Sequence, residues 1–174
     1  MKIGRVTISD RASAGVYADR AGPEIERLLS EQFGPAVQFV AAVVPDEAEM
    51  ISSELRELAD RERCDLIVTT GGTGISPRDV TPEATQAVLE KELPGFGELM
   101  RIQSFSRVRT AILSRAVAGT RGQTLIVNLP GKPSAVAECL KVLADAIREG
   151  VAQLRGEDPH SDTRHLRPKC SAQT

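Results

Sequence analysis

Apolar and polar positions change period repeatedly along this chain, and the changes mark out its elements. Ile3 to Ile8 is a short apolar run that reads as a first strand, followed by a polar loop from Ser9 to Asp19. Pro23 suits the first turn of a helix that carries Ile25, Leu28 and Leu29 on one face. Val37 to Val44 reads as a second strand, closed by Pro45. Asp46 with Glu49 resembles a capping box, opening a helix lined by Ile51, Leu55 and Leu58. Asp65 to Thr70 (DLIVTT) is a buried-strand pattern that runs into a glycine cluster. Thr81 then reads as a helix cap, with Pro82 in the first turn. Pro94, Gly95 and Gly97 break the next segment, leaving Glu98 to Phe105 as a short helix. Thr110 to Leu113 is either a helix end or an edge element. Thr124 to Leu129 (TLIVNL) is a further buried strand, and Lys132 to Leu154 a long amphipathic helix.

Strands alternating with helices predict an α/β fold, with a parallel sheet, right-handed crossovers and helices on both faces. Ligands of such sheets bind beyond the carboxyl ends of the strands, so loops that follow strands carry the chemistry. The patterned region covers residues 1–155. From 156 to 174 the sequence turns polar and reads as a loosely held tail.

Composition narrows the choice. Aromatic residues make up 3% of the 174 positions and tryptophan is missing, so the core rests on Val, Ile, Leu and Ala. That suits a sheet buried on both faces. A net charge of −2 with no basic block gives nucleic-acid binding no electrostatic support. No uncharged stretch is long enough to span a bilayer and no secretory leader is visible, which points to the cytoplasm. The cysteines Cys64, Cys139 and Cys170 are few, odd in number and far apart, so neither a disulfide framework nor a zinc site is expected. His160 and His165 lie in the polar tail and read as solvated. So do most of Arg101, Arg107, Arg109, Arg115 and Arg121, with one or two available to a substrate phosphate.

Four segments fit the requirement for chemistry. The first is Thr7 to Arg11, and the second Pro45 to Glu47. The third is Thr69 to Pro82, built around Gly71, Gly72, Thr73 and Gly74. The fourth runs from Asn128 to Ser134. Glycines after a buried strand let a ligand approach the backbone closely, although a tight structural turn would use the same residues. Neither GxGxxG nor GxxxxGK[ST] matches: Pro77 stands where a third glycine would be needed, and Gly131-Lys132 is followed by Pro133. Asp79 is either a turn residue paired with Arg78 or a ligand for a magnesium ion that bridges phosphates. Asp46 is either a helix cap or a second carboxylate at the same rim. Two carboxylates, a cation and a glycine loop would serve nucleotidyl transfer. Asn128-Leu129-Pro130-Gly131 is either an anion site or a plain strand-to-helix connection.

Together these segments resemble a known family. DLIVTTGGTGISPRDVTPEAT, PGFGELMR, TAILSRAVAG and IVNLPGKPSAVAECL are similar to the molybdopterin adenylyltransferases of the MogA type and to the corresponding domain of gephyrin. VTISDRASAGVYAD and VVPDE fit the same family, and the resemblance covers nearly all of residues 1–155. It implies a three-layer αβα sandwich with a mostly parallel sheet, and a homotrimer. It also implies that a molybdopterin phosphate attacks the α-phosphorus of ATP, releasing pyrophosphate, with a molybdenum insertase acting downstream. In that reading Asp46 and Asp79 are the catalytic carboxylates that handle Mg2+ and the nucleotide phosphates. Gly71, Gly72, Thr73 and Gly74 cradle the nucleotide. Ser9, Asp10, Ser114, Asn128, Pro130, Gly131 and Ser134 line the pterin and phosphate pocket. A MoaB-type paralogue that binds pterin or nucleotide with altered or lost activity is the alternative, and a non-catalytic assembly module is a third reading.

Overall fold

The computed structural model describes residues 1–157. The proposed roles of His160, His165, Cys170 and most of the polar tail therefore lie outside the described residues. Six strands form one sheet in the order β2-β1-β3-β6-β5-β4. They are β1 (Lys2–Ile8), β2 (Gln38–Val44), β3 (Leu66–Thr70), β4 (Lys91–Glu92), β5 (Ala118–Arg121) and β6 (Thr124–Leu129). The four strands β2, β1, β3 and β6 run parallel, while β5 pairs antiparallel with both β6 and β4. Among the described residues there are six α-helices: α1 (Asp10–Ser13), α2 (Ala21–Phe33), α3 (Ala48–Arg56), α4 (Thr81–Gln86), α5 (Pro94–Phe105) and α6 (Pro133–Leu154).

The two-residue period of the strands sorts the core into two layers. Ile3, Leu66, Val68, Leu125, Val127 and Leu129 point to one face and pack with Ile25 and Leu29 of α2, Met100 of α5, and Leu140, Leu143 and Ile147 of α6. Val6, Ile8, Ile67 and Ile126 point to the other face, against Ile51 and Leu55 of α3 and Ala84 of α4. Each fully buried Leu or Ile contributes about 1.5–3 kcal/mol relative to exposure, so a core almost without aromatics suffices. This is the expected three-layer αβα sandwich.

Several local expectations need correction. The cap position of α3 falls on Glu47, one residue after Asp46, and no side chain caps it. A cap must reach the amides two or three residues on, and the Asp46 carboxylate instead accepts the Asp10 N–H at 2.8 Å. Thr81 is the first residue of α4 and Val80 takes the cap position, because the Thr81 hydroxyl donates to the Gly71 carbonyl at 3.0 Å. The helix over Glu98 to Phe105 begins four residues earlier, at Pro94. Proline costs nothing at a helix start, where its missing N–H has no partner to lose. Gly97 packs so closely that a Cβ there would lie 2.5 Å from the Ala116 carbonyl oxygen. Beyond α3 the helix widens into a π-helical turn over Glu57–Arg61 that keeps Leu58 and Ala59 inside. Arg109–Leu113 resolves as a 3-10 turn. The short strands β4 and β5 carry too few residues for any period to show in the sequence.

Candidate active site

From β1 the chain crosses to β2 on one side of the sheet, while from β3, on the other side of β1, it runs on toward β6, which opens a crevice where the connections diverge. A cleft of about 320 Å3 lies there, within the range that accommodates small ligands. The ends of all four parallel strands reach it: Ser9 after β1, Asp46 after β2, Gly71 and Gly72 after β3, and Gly131 after β6. Asp79 lines the same cleft. The structure thus brings together both carboxylates and the first two glycines of the loop.

Gly71 is the hinge of the site. Its φ is +101°, and a Cβ there would lie 2.2 Å from the Ile8 carbonyl oxygen at the end of β1. No L side chain fits that combination. The loop then runs over the sheet edge to Asp79, whose carboxylate accepts the Ser76 N–H at 2.8 Å. Arg115 stitches this loop down. Its Nε donates to the Gly74 carbonyl at 2.7 Å, its Nη2 to the Asp79 carbonyl at 2.5 Å, and its remaining amine pairs with Glu83. Its own N–H donates to the Thr73 carbonyl at 2.9 Å. Arg115, one of five arginines expected either in solvent or on a substrate phosphate, thus spends its donors on the loop itself. A guanidinium presents several donors in one plane, which suits it to tying several carbonyls of one loop.

Asp46 and Asp10 are cross-linked. Asp46 Oδ2 accepts the Asp10 N–H at 2.8 Å, and Asp10 Oδ1 accepts the Asp46 N–H at 3.0 Å. Arg78 then grips the Asp10 carboxylate through Nε at 3.0 Å and Nη2 at 2.8 Å. The partner of Arg78 is thus Asp10, not Asp79. The Arg78 guanidinium and the Asp46 amide hold the Asp10 carboxyl below its ordinary range. Asp46 moves the other way. Burial pushes its carboxyl up, and the charges of Asp10 and Asp79 add to that against the pull of the Asp10 amide and Arg78. Negative potential at Asp46 is therefore only partly offset by the protein.

The remaining candidates separate. Asn128 is fully buried, with its amide nitrogen 3.0 Å from both Thr69 Oγ1 and Thr85 Oγ1. It sits beneath the glycine loop, outside the cleft lining, because even-numbered positions of β6 face α4. Thr73 is buried as well, so its hydroxyl does not reach the cleft surface. The Pro130 carbonyl accepts the Thr70 hydroxyl at 2.8 Å, which joins the ends of β3 and β6. The Ser114 carbonyl accepts from Arg101 at 3.2 Å, and Ser134 stands exposed near the start of α6. Asp10, Gly74, Pro130, Ser114 and Ser134 are not among the residues that line the cleft. Five lining residues fall outside the four anticipated segments: Ala12, Tyr17, Asp19, Arg20 and Ala21. One signal for them stood in β1, where Arg5 interrupts an apolar run. A charge on a buried strand needs a partner, and Arg5 donates to Asp19 Oδ2 at 3.0 Å and to Glu26 Oε1 at 2.9 Å.

The donor set suits a magnesium ion carried in with phosphates. Of the three carboxylates that line the cleft, Asp19 is taken up by Arg5, Thr7 and Gly22, which leaves Asp46 and Asp79, and Asp46 is held against an unfavourable potential that a cation would relieve. Among the described residues no group of three or more His, Cys, Asp or Glu side chains gathers to cage a metal. Phosphate and water oxygens would complete the shell, as Mg2+ ordinarily prefers.

Comparison with known proteins agrees with this architecture. Residues 4–149 match the family described as "Probable molybdopterin binding domain". The chain is 51% identical over 145 residues to the molybdopterin adenylyltransferase of Helicobacter pylori, covering 83% of this chain and 82% of that one. It is 49% identical over 146 residues to the molybdopterin adenylyltransferase of Escherichia coli K12, covering 84% and 75%. Its fold superposes on the molybdopterin biosynthesis enzyme MoaB of Thermus thermophilus with a TM-score of 0.81 at 41% identity, covering 90% of this chain and 97% of that one. A mostly parallel sheet with its cleft at the strand divergence, together with a match spanning most of the chain, assigns this protein to the molybdopterin-binding-domain family.

Proposed function

We propose that this protein adenylylates molybdopterin in molybdenum-cofactor biosynthesis. The observation that carries the proposal is the meeting of Asp46 and Asp79 in one cleft beside the Gly71–Gly72 backbone. Half identity to relatives named molybdopterin adenylyltransferases supports this reading, while solved structures named MogA and MoaB match about equally, at 42% and 41%. In the reaction a phosphate oxygen of molybdopterin forms a bond to the α-phosphorus of ATP. The bond from that phosphorus to the bridging oxygen breaks, and pyrophosphate leaves. Such transfer demands positioning and charge neutralisation more than covalent help from the protein.

The residues divide that work. Gly71 and Gly72 offer backbone without side chains, so phosphates approach closely. Asp46 and Asp79 would hold Mg2+, which would neutralise charge on the bound triphosphate. Arg78 holds Asp10, and Asp10 in turn fixes the backbone amide and carboxylate of Asp46. Arg115 keeps Asp79 on the cleft by its carbonyl. Asn128 supports the loop from below through Thr69 and Thr85, so we assign it a structural part in the pocket. The reading further implies a step that draws on ATP, as the cytoplasm supplies it, with a molybdenum insertase acting downstream.

Incubation with molybdopterin and Mg-ATP is expected to release pyrophosphate, and omission of either substrate to prevent it. Its pH profile should carry an acid limb above the ordinary carboxylate range of about 4. The sign follows from Asp46: burial raises its carboxyl pKa, so protonation begins at higher pH and removes the charge that holds the cation. Absence of pyrophosphate under these conditions would reject the adenylyltransferase reading in favour of the paralogue.

We further infer a homotrimer, assembled through the apolar face of α5 and the 3-10 turn that follows it. Ile102 and Ile112 are 69% and 63% exposed and, with Phe105, line a shallow groove. Exposed apolar surface of this kind ordinarily marks a contact. Ile102→Glu should convert the trimer to monomer in light scattering, while circular dichroism stays unchanged. A variant that remains trimeric would exclude this face from the interface.

A further inference from the structure

Tyr17 is the one tyrosine of the chain, which has no tryptophan. It lines the cleft and stays 47% exposed. The rest of the lining is small or polar in the main, including Thr7, Ser9, Thr70, Gly71 and Gly131, and Tyr17 is its single aromatic surface.

The ring is held, not loose. The Val16 and Tyr17 N–H groups both donate to the Arg11 carbonyl, at 2.9 and 3.1 Å, which folds the segment back over α1. The Arg11 guanidinium lies 5.3 Å from the Tyr17 ring centroid, a cation–π contact. Two residues on, Asp19 roots the segment in the core. Its carboxylate accepts from Arg5 Nη1 at 3.0 Å, from the Thr7 hydroxyl at 2.7 Å and from the Gly22 N–H at 2.9 Å. Arg5 is only 8% exposed, and a buried arginine on a central strand is costly unless its partners fix something in return. Here they fix the residues that carry Tyr17 to the cleft edge.

We propose that Tyr17 is the aromatic wall against which the flat heterocycle of a substrate packs. The inference rests on the adenylyltransferase reading, in which both substrates carry such a ring: the purine of ATP and the pterin of molybdopterin. A pre-positioned aromatic ring gives a heterocycle contact area without ordering a floppy side chain on binding, which is how stacking contributes affinity.

Because Tyr17 is the sole intrinsic fluorophore of its kind, its emission reports this contact directly. Titrations with AMP and with molybdopterin, run separately without magnesium, are the test, with tyrosinamide in the same solutions correcting for light absorbed by the ligand. One of the two ligands is expected to quench Tyr17 emission saturably, and that ligand identifies the heterocycle. Tyr17→Ala should then raise KM for the same substrate by about tenfold, more than it lowers kcat, and Tyr17→Phe should restore most of the loss. The proposal is overturned if neither ligand changes the emission, or if Tyr17→Ala leaves both KM values within about twofold of the parent. Should the protein release no pyrophosphate at all, the adenylyltransferase reading falls, while the emission titration still decides whether a heterocycle packs on Tyr17.

Discussion

Asp79→Asn and Asp46→Asn are each expected to lower kcat for pyrophosphate release by about 10²- to 10³-fold, the range seen when one preorganised charge is removed from a transition state. Asparagine is the informative replacement because it keeps an acceptor oxygen. In Asp79→Asn the amide oxygen still accepts the Ser76 N–H, and in Asp46→Asn it still accepts the Asp10 N–H. What disappears is the charge. The two variants should differ in stability. Burial raises the Asp46 carboxyl above its ordinary pKa, so at neutral pH its ionised form burdens the folded state. A group with a raised carboxylate pKa costs stability above that pKa and ceases to cost it once protonated. Asp46→Asn should therefore melt no lower than the parent at neutral pH, and any gain should shrink as the pH falls toward the carboxylate range. Lower activity with equal or higher melting temperature marks a residue kept for function at some expense in stability. Either variant turning over near the parent rate would remove its carboxylate from the catalytic proposal. Both melting far below the parent would instead make the pair structural.

Gly71→Ala is expected to produce the largest loss of stability of any single methyl addition in the glycine loop. Two independent penalties coincide at this position. The backbone is at φ +101°, outside the regions that an alanine occupies readily. The new methyl would also stand 2.2 Å from the Ile8 carbonyl oxygen, a backbone atom on a central buried strand that has little room to yield. Backbone strain of this kind costs about 1–3 kcal/mol by itself, and the overlap adds to it, so a loss above about 3 kcal/mol or failure to fold is expected. Gly15→Ala is the control. Its φ is +71° but nothing lies within 4 Å of the added methyl, so strain alone applies. Chemical denaturation of the two variants should separate the terms. Equal losses at both positions would mean that the contact with Ile8 contributes nothing and the loop relaxes freely.

Much of the fold was legible because its main elements repeat a simple period over enough residues. The boundaries of β1, β2, β3, β6 and α6 followed from apolar spacing to within one residue, and for α2 the placement of Pro23 in its first turn followed as well. The hairpin of β4 and β5 was not legible, since strands of two and four residues leave no period to detect. The start of α5 was misplaced because proline and glycine break helices in the interior but are tolerated in the first turn. At the site, the approach of Asp46 to Asp79 followed from placing both after parallel strands. The roles of Arg78 and Arg115 did not follow. Their partners Asp10, Gly74 and the Asp79 carbonyl come from other elements, up to 68 residues away. Asn128 shows the same limit from the other side: its motif pointed to the pocket, whereas strand parity turned its amide inward to Thr69 and Thr85.

The amino-acid sequence alone determined the class of fold, the face of each long element that enters the core, and which loops stand at the active edge of the sheet. These depend on local periodicity and on the rule that parallel strands present their carboxyl ends together. Tertiary structure alone decided that Asp10 rather than a helix amide receives Asp46, that Arg115 is a loop tie rather than a solvated charge, and that Tyr17 reaches the cleft. A side chain has many hydrogen-bonding options within its reach, and only the packed sheet, by fixing the distances between elements far apart in the chain, selects one of them.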